Sequence, residues 1–180
     1  MGSFATGAIV QASAMALVEP YDPDWPKRFQ AEAVGLRPLF QSLHHIGSTA
    51  VPGLAAKATI DILGVSIHRD ARDAILPALA GLGYDLRGEN GIPGRLFLRK
   101  MAGDVRLVHL HAYVLGSRHI TRHLAFRGWL RAHPDGAAEY GAHKLALAAR
   151  PGKTRADYVA DKDTMVRRLE ALAVRWYRQG

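Results

Sequence analysis

Three short segments of this chain carry residue types that could do chemistry together. In His44-His45-Ile46-Gly47-Ser48-Thr49-Ala50-Val51-Pro52-Gly53-Leu54, the chain leaves an apolar residue and turns through small ones. Glycine lets a backbone approach an anion closely, and the N–H groups and hydroxyls that follow, here Ser48 and Thr49, can donate to it. Lys57-Ala58-Thr59-Ile60-Asp61-Ile62-Leu63 then places one acid in an apolar run. Such an aspartate is costly to bury unless it meets a cation or a hydrogen-bond donor. The pair reads as a phosphate-gripping turn beside a metal-binding carboxylate, with Lys57 adding a point charge. In the third segment, His109-Leu110-His111, two imidazoles alternate along one strand and so share a face. Two histidines and an aspartate form a ligand set for zinc, manganese or iron. The same histidines could instead serve as general base or as a phosphate clamp. His45, beside the turn, is a further ligand candidate.

The acid at Asp61 has no obvious twin. Two-metal phosphoryl transfer needs several carboxylates to hold and space its ions. Leu63 stands two residues on, where the strand face would offer a second acid. Glu89 lies in a glycine-rich loop and Asp104 in a turn. One acid leaves room for a single-metal site, a different transfer reaction, or binding without catalysis. Further cations stand on the later segments. Arg127 and Arg131 are four apart and share a helical face, while Lys144 and Lys162 follow Tyr140 and Tyr158 by one turn.

The elements that must position these groups follow from periodicity. Apolar spacing predicts a helix over 25–43, with Asp24 as N-cap and Pro26 in its first turn. A short strand delivers Ile46 to the turn. Residues 59–67 read as a buried strand and 70–82 as a helix ended by Gly83. Residues 84–87, 95–100 and 105–115 are strands, the last two joined at Gly103-Asp104. Helices follow over 118–132, 135–149 and 155–177, separated by Pro134 and Pro151-Gly152. This is an α/β (α+β) order: a mixed sheet with flanking helices and a helical C-terminal tail. Residues 18–180 form one domain, and the uncharged 1–17 read as a flexible leader. Trp25, Phe29 and Phe40 belong to the core.

Composition narrows the partners. At 180 residues the chain can bury a real core. It has no cysteine, which excludes disulfides, thiolate metal sites and cysteine nucleophiles and fits a reducing cytoplasm. No apolar run is long enough to span a bilayer. The net charge of +8, carried mostly by arginine, suits a small anionic ligand. Nucleic acid is disfavoured, because no zinc finger, recognition-helix signature or aromatic RNA-binding motif accompanies the charge.

The Gly-Ser turn followed by a strand-borne acid resembles the opening motif of polymerase-β-like nucleotidyltransferases. The wording HIGSTAVPGLAAK with IDI resembles the GrpB family more narrowly. So do Val18-Glu19-Pro20-Tyr21-Asp22-Pro23-Asp24-Trp25, His109-Leu110-His111 and Phe126-Arg127-Gly128-Trp129-Leu130-Arg131, and Tyr140 with Lys144 and Tyr158 with Lys162. The family resemblance implies a nucleotidyltransferase-like fold and occurrence in fusion with dephospho-coenzyme A kinase. It implies a nucleotide-like substrate held at Gly47, Ser48 and Thr49, with Lys57, Arg127, Arg131, Lys144 and Lys162 around its anionic groups. It also implies a divalent metal at Asp61, magnesium or manganese first and zinc as a further candidate. His109, His111 and His45 complete that set, and Asp61, His111 and His109 are the catalytic candidates. A non-catalytic nucleotide or coenzyme A-binding accessory module is the alternative.

Overall fold

The computed structural model describes residues 18–150 and 155–179. The proposed leader, 1–17, lies outside the described residues. The first helix, α1 (Trp25–Leu36), buries Trp25, Phe29, Ala33 and Leu36 along one stripe, as its spacing requires. Asp24 takes the N-cap position without capping through its side chain, which instead meets Lys27. The helix stops at Leu36 rather than running to Leu43. Pro38 cannot donate an N–H and disfavours helical geometry at the residue before it, so Arg37–Leu39 form one 3-10 turn. The strand β1 (Ser42–Ile46) then starts directly.

After β2 (Ile60–Ser66), the expected single helix is two short ones, α2 (Arg69–Ala74) and α3 (Leu76–Gly81). Pro77 breaks the hydrogen-bond ladder between them. The strands β3 (Tyr84–Leu86), β4 (Leu96–Ala102) and β5 (Val105–Val114) follow. The helices α4 (Arg118–Ala132), α5 (Pro134–Ala148) and α6 (Arg155–Tyr177) complete the chain. Among the described residues no helix is long and apolar enough to cross a membrane.

The sheet has the order β1-β2-β5-β4-β3. Only β2 and β5 run parallel, and the other neighbours are antiparallel. One face, with Ile60, Ile62, Leu98, Leu110 and Ala112, packs on α1 and on Leu79 of α3. The other face, with Ile46, Leu63, Val65 and Tyr113, packs under Ile120 and Leu124 of α4. A third cluster ties Val51 and Leu54 to Leu130, Tyr140 and Leu169 of the three C-terminal helices. The result is a mixed sheet between α1 and a helical lobe. That lobe lies over the face that carries Asp61.

Candidate functional site

The parallel pairing of β2 with β5 sets Asp61 directly beside His109, and Leu63 beside His111. Side chains at these positions leave the sheet on one face. Asp61 Oδ1 lies 3.1 Å from His109 Nδ1 and 3.6 Å from His111 Nε2. Phe97 of β4 pairs with His111 and stands with its ring centroid 5.3 Å from His109 and 5.2 Å from His111. His123 of α4 closes the group, 5.3 Å from the His111 ring.

Asp61 is ionised. Burial alone would raise its carboxyl, but the hydrogen bonds from His109 and His111 outweigh this and hold it well below the usual carboxylate range. Burial pushes His111 below an ordinary histidine, with Asp61 partly opposing and Arg95 and His109 adding to the fall. Burial also keeps His123 neutral, and its neighbours His111 and Arg122 add to the effect.

The Gly-Ser turn abuts the carboxylate. Ile46 is the cross-strand partner of Asp61, and Gly47 follows at φ 80° and ψ −144°, outside the range of ordinary side chains. A Cβ at Gly47 would sit 2.4 Å from Asp61 Oδ2. Ser48–Ala50 then form a 3-10 turn. Turn and acid are parts of one site.

The other expected ligands divide. Thr49 is buried and its hydroxyl meets His45 Nε2 at 2.9 Å. His45 itself leaves β1 on the opposite face, stacked on Phe29 with ring centroids 4.9 Å apart. It does not join Asp61, because strand alternation sends Ile46, not His45, to that side. Arg127 reaches the turn but donates to the His45 carbonyl at 2.9 Å. Arg131 donates twice to the Ala50 carbonyl, at 2.8 and 2.6 Å. Lys144 is buried and donates to Ser48 Oγ and the Ala55 carbonyl. These cations clamp the loop. Lys57 is half-buried just after the Glu19–Ala56 bridge, and the Lys162 side chain lies outside the described residues.

Leu63, at the place of a second acid, is fully buried with Ile46, Val65 and Tyr113. Glu89 accepts from the Gly94 N–H at 2.6 Å and closes its own loop. Among the described residues, Asp61, His109 and His111 form a group whose ligand atoms lie within 4.8 Å of one another, and no second carboxylate joins it. A tetrahedral ion with bonds of about 2.1 Å needs ligands about 3.4 Å apart. The distances of 3.1 and 3.6 Å bracket that value. Both Asp61–histidine separations are thus compatible with shared coordination of one small ion.

Arg95 bears directly on that fit. It is buried, lies 4.7 Å over the Phe97 ring, and donates to the Glu89 and Asn90 carbonyls. Its Nη1 is 3.4 Å from His111 Nδ1. A guanidinium only donates, so Nδ1 presents its lone pair and Nε2 carries the proton towards Asp61. An ion at Nε2 would displace that proton and open the Arg95 contact. Neither Arg95 nor His123 stands in a local motif, and sequence spacing alone does not single them out.

A larger cavity, about 730 Å³, lies apart from this chemistry. The 51–55 segment walls it with Leu130 and Arg131 of α4 and the small residues of α5, and it contains none of Asp61, His109 or His111.

His45 gives a pH prediction. Burial pushes its imidazole down to about 4; Asp61 opposes this, and Arg131 and Arg127 add to it. An unfolded histidine titrates near about 6.5, so between there and 4 the unfolded chain takes up a proton that the folded chain refuses. Stability should fall across that window by roughly 2 to 3 kcal/mol. Denaturation midpoints of the wild type and His45→Gln at pH 7 and pH 4.5 check this. The variant should lose less; an equal loss would exclude His45 as the source.

The family model described as GrpB protein matches residues 16–171. A relative from Bacillus subtilis (strain 168), UPF0157 protein YqkA, is 38% identical over 160 residues, covering 87% of this chain and 46% of that protein. A protein of Mycolicibacterium paratuberculosis named dephospho-CoA kinase is 30% identical over 195 residues, covering 92% of this chain and 47% of its own length. The chain thus spans about half the length of these curated relatives. The crystal structure of conserved protein GrpB from Enterococcus faecalis superposes with a TM-score of 0.82 at 36% identity, covering 89% of this chain and 98% of that one. With the family model matching most of the chain and a solved GrpB structure sharing its fold, this chain belongs to the GrpB family.

Proposed function

We propose that Asp61, His109 and His111 hold one divalent metal ion, and that Gly47 and Ser48 hold the phosphate of a nucleotide-like ligand beside it, for transfer of a nucleotidyl or related group. The observation that carries this reading is the contact of Gly47 with the Asp61 carboxylate, which makes turn and acid a single concave site. Two imidazoles and one carboxylate favour zinc or manganese over magnesium, which prefers oxygen ligands. Held by these three residues, a bound ion would supply Lewis-acid polarisation of a phosphoryl oxygen. The chain's own residues do the rest. Asp61 stays ionised, Ser48 presents its hydroxyl to the phosphate, and Phe97 keeps water from one side of the imidazoles. Fixing the donor and neutralising charge are the main demands of phosphoryl chemistry.

A second reading, a non-catalytic nucleotide or coenzyme A-binding module, is favoured by the burial of Leu63 where a second acid would stand. The likeness to a protein named dephospho-CoA kinase agrees with it. Thermal melting separates the two. Nucleoside triphosphates and coenzyme A precursors are tested with and without magnesium, manganese and zinc. At a hundred times the dissociation constant, a bound ligand stabilises by about 2.7 kcal/mol, or roughly 5 to 10 °C here. The transferase reading expects a shift that requires metal and is lost in Asp61→Asn. A nucleotide shift indifferent to metal would select the binding module, and no shift with any ligand would contradict both.

Arg95 supplies a further test. Because its guanidinium opposes both a cation and the ligating tautomer of His111, Arg95→Met should tighten zinc binding by about tenfold, the lower end of effects from groups behind a metal ligand. Calorimetric titration checks this. Weaker binding in the folded variant would show that Arg95 supports the ion.

A further inference from the structure

A second cationic concavity lies where the start of α4 meets the end of α6. It has a volume of about 300 Å³ and is lined by Arg118, His119, Thr121, Arg122, Val174 and Arg178. Residues 118, 121 and 122 share one face of α4, Val174 lies near the end of α6, and Arg178 directly follows that helix. Among the described residues no carboxylate lines the pocket. Arg122 is already committed, with Nη1 on both oxygens of Glu170 at 2.9 and 3.2 Å and Nη2 3.3 Å from His123 Nε2.

Among the described residues several arginines meet a carboxylate, and Arg118 and Arg178 do not. Arg87 pairs with Asp85, Arg150 with Asp161, Arg167 with Asp163 and Arg168 with Glu139. Arg118 and Arg178 have no ion pair among the described residues. Arginine-rich composition alone would scatter cations over the surface; here Arg118, Arg122 and Arg178 line one hollow. The His119 imidazole is lowered by burial first and then by Arg122 and Arg118 of this pocket and by Arg95. The start of α4 adds the partial positive charge of its first turn.

We infer that this pocket is a phosphate-binding site, separate from the Gly47–Ser48 turn. The guanidiniums of Arg118 and Arg178 and the Thr121 hydroxyl suit a tetrahedral dianion, and Arg122, already held by Glu170, adds positive charge nearby. The volume admits inorganic phosphate or the phosphate of a small monoester. The pocket adjoins the Asp61 group through Arg122, His123 and His111.

Calorimetry in metal-free buffer tests it, with inorganic phosphate and glycerol phosphate added at ionic strength held constant with chloride. The wild type and Asp61→Asn should each bind one equivalent with the same affinity. The Arg118→Gln/Arg178→Gln double variant should bind at least about tenfold more weakly. Without phosphate this variant should melt no lower than the wild type, because two unpaired like charges have been removed. The tighter of the two ligands identifies the source, free ion or ester. Equal affinity in the double variant, or loss of binding in Asp61→Asn alone, would overturn the assignment. So would a response that chloride reproduces.

Discussion

Gly47→Ala should cost about 3 to 5 kcal/mol, from backbone strain and overpacking together. At φ 80° and ψ −144° an alanine is strained wherever it stands. Here its Cβ would also meet Asp61 Oδ2 at 2.4 Å and both Cβ and Cγ at 3.1 Å. That aspartate cannot retreat freely, because His109 and His111 fix its other oxygen. Gly53 provides the control. It has φ 77°, but a Cβ there would find nothing within 4 Å. Gly53→Ala should cost only the backbone term, about 1 to 2 kcal/mol. Urea unfolding of both variants makes the comparison. Equal losses would mean that the turn does not press against the carboxylate.

Lys144→Met should be the other severe change, at roughly 2 to 4 kcal/mol. Methionine keeps most of the stem's volume but removes the ammonium. Lys144 lies over the Tyr140 ring at 4.4 Å and its ammonium donates to Ser48 Oγ at 3.3 Å and to the Ala55 carbonyl. Without it, the Ala55 carbonyl loses a charged donor in a site that water reaches poorly. The 48–55 segment would then be held mainly by Arg131 and by Val51 and Leu54. Unfolding in urea reads the stability, and proteolysis under native conditions reads local opening of the segment. A loss under about 0.5 kcal/mol, within the range of ordinary surface changes, would show that Lys144 does not clamp it.

The parts of this site that were legible from the residues are those governed by local rules. Alternation puts His109 and His111 on one face, and the apolar run around Asp61 marks a buried strand. The same alternation separates His45 from Ile46, so His45's place on the α1 side follows once Ile46 is known to pair with Asp61. Two helix boundaries differ from the apolar pattern because Pro38 and Pro77 override it. The destinations of the cations were not legible. Arg127 meets a carbonyl 82 residues away and Lys144 a hydroxyl 96 residues away, and no spacing encodes either. Arg95 likewise becomes significant only when β4 and β5 pair and bring it to His111. Long-range register, rather than motif, decides which charges can face a ligand.

In the proposed function Asp61, His109 and His111 bind one metal ion together. The most direct test of this is a calorimetric titration of chelator-treated protein with zinc and with manganese, alongside Asp61→Asn. One saturable site per chain is expected, weakened at least about 100-fold in the variant, which should still unfold cooperatively in chelator. No saturable binding to the wild type, or equal affinity in Asp61→Asn, would contradict it.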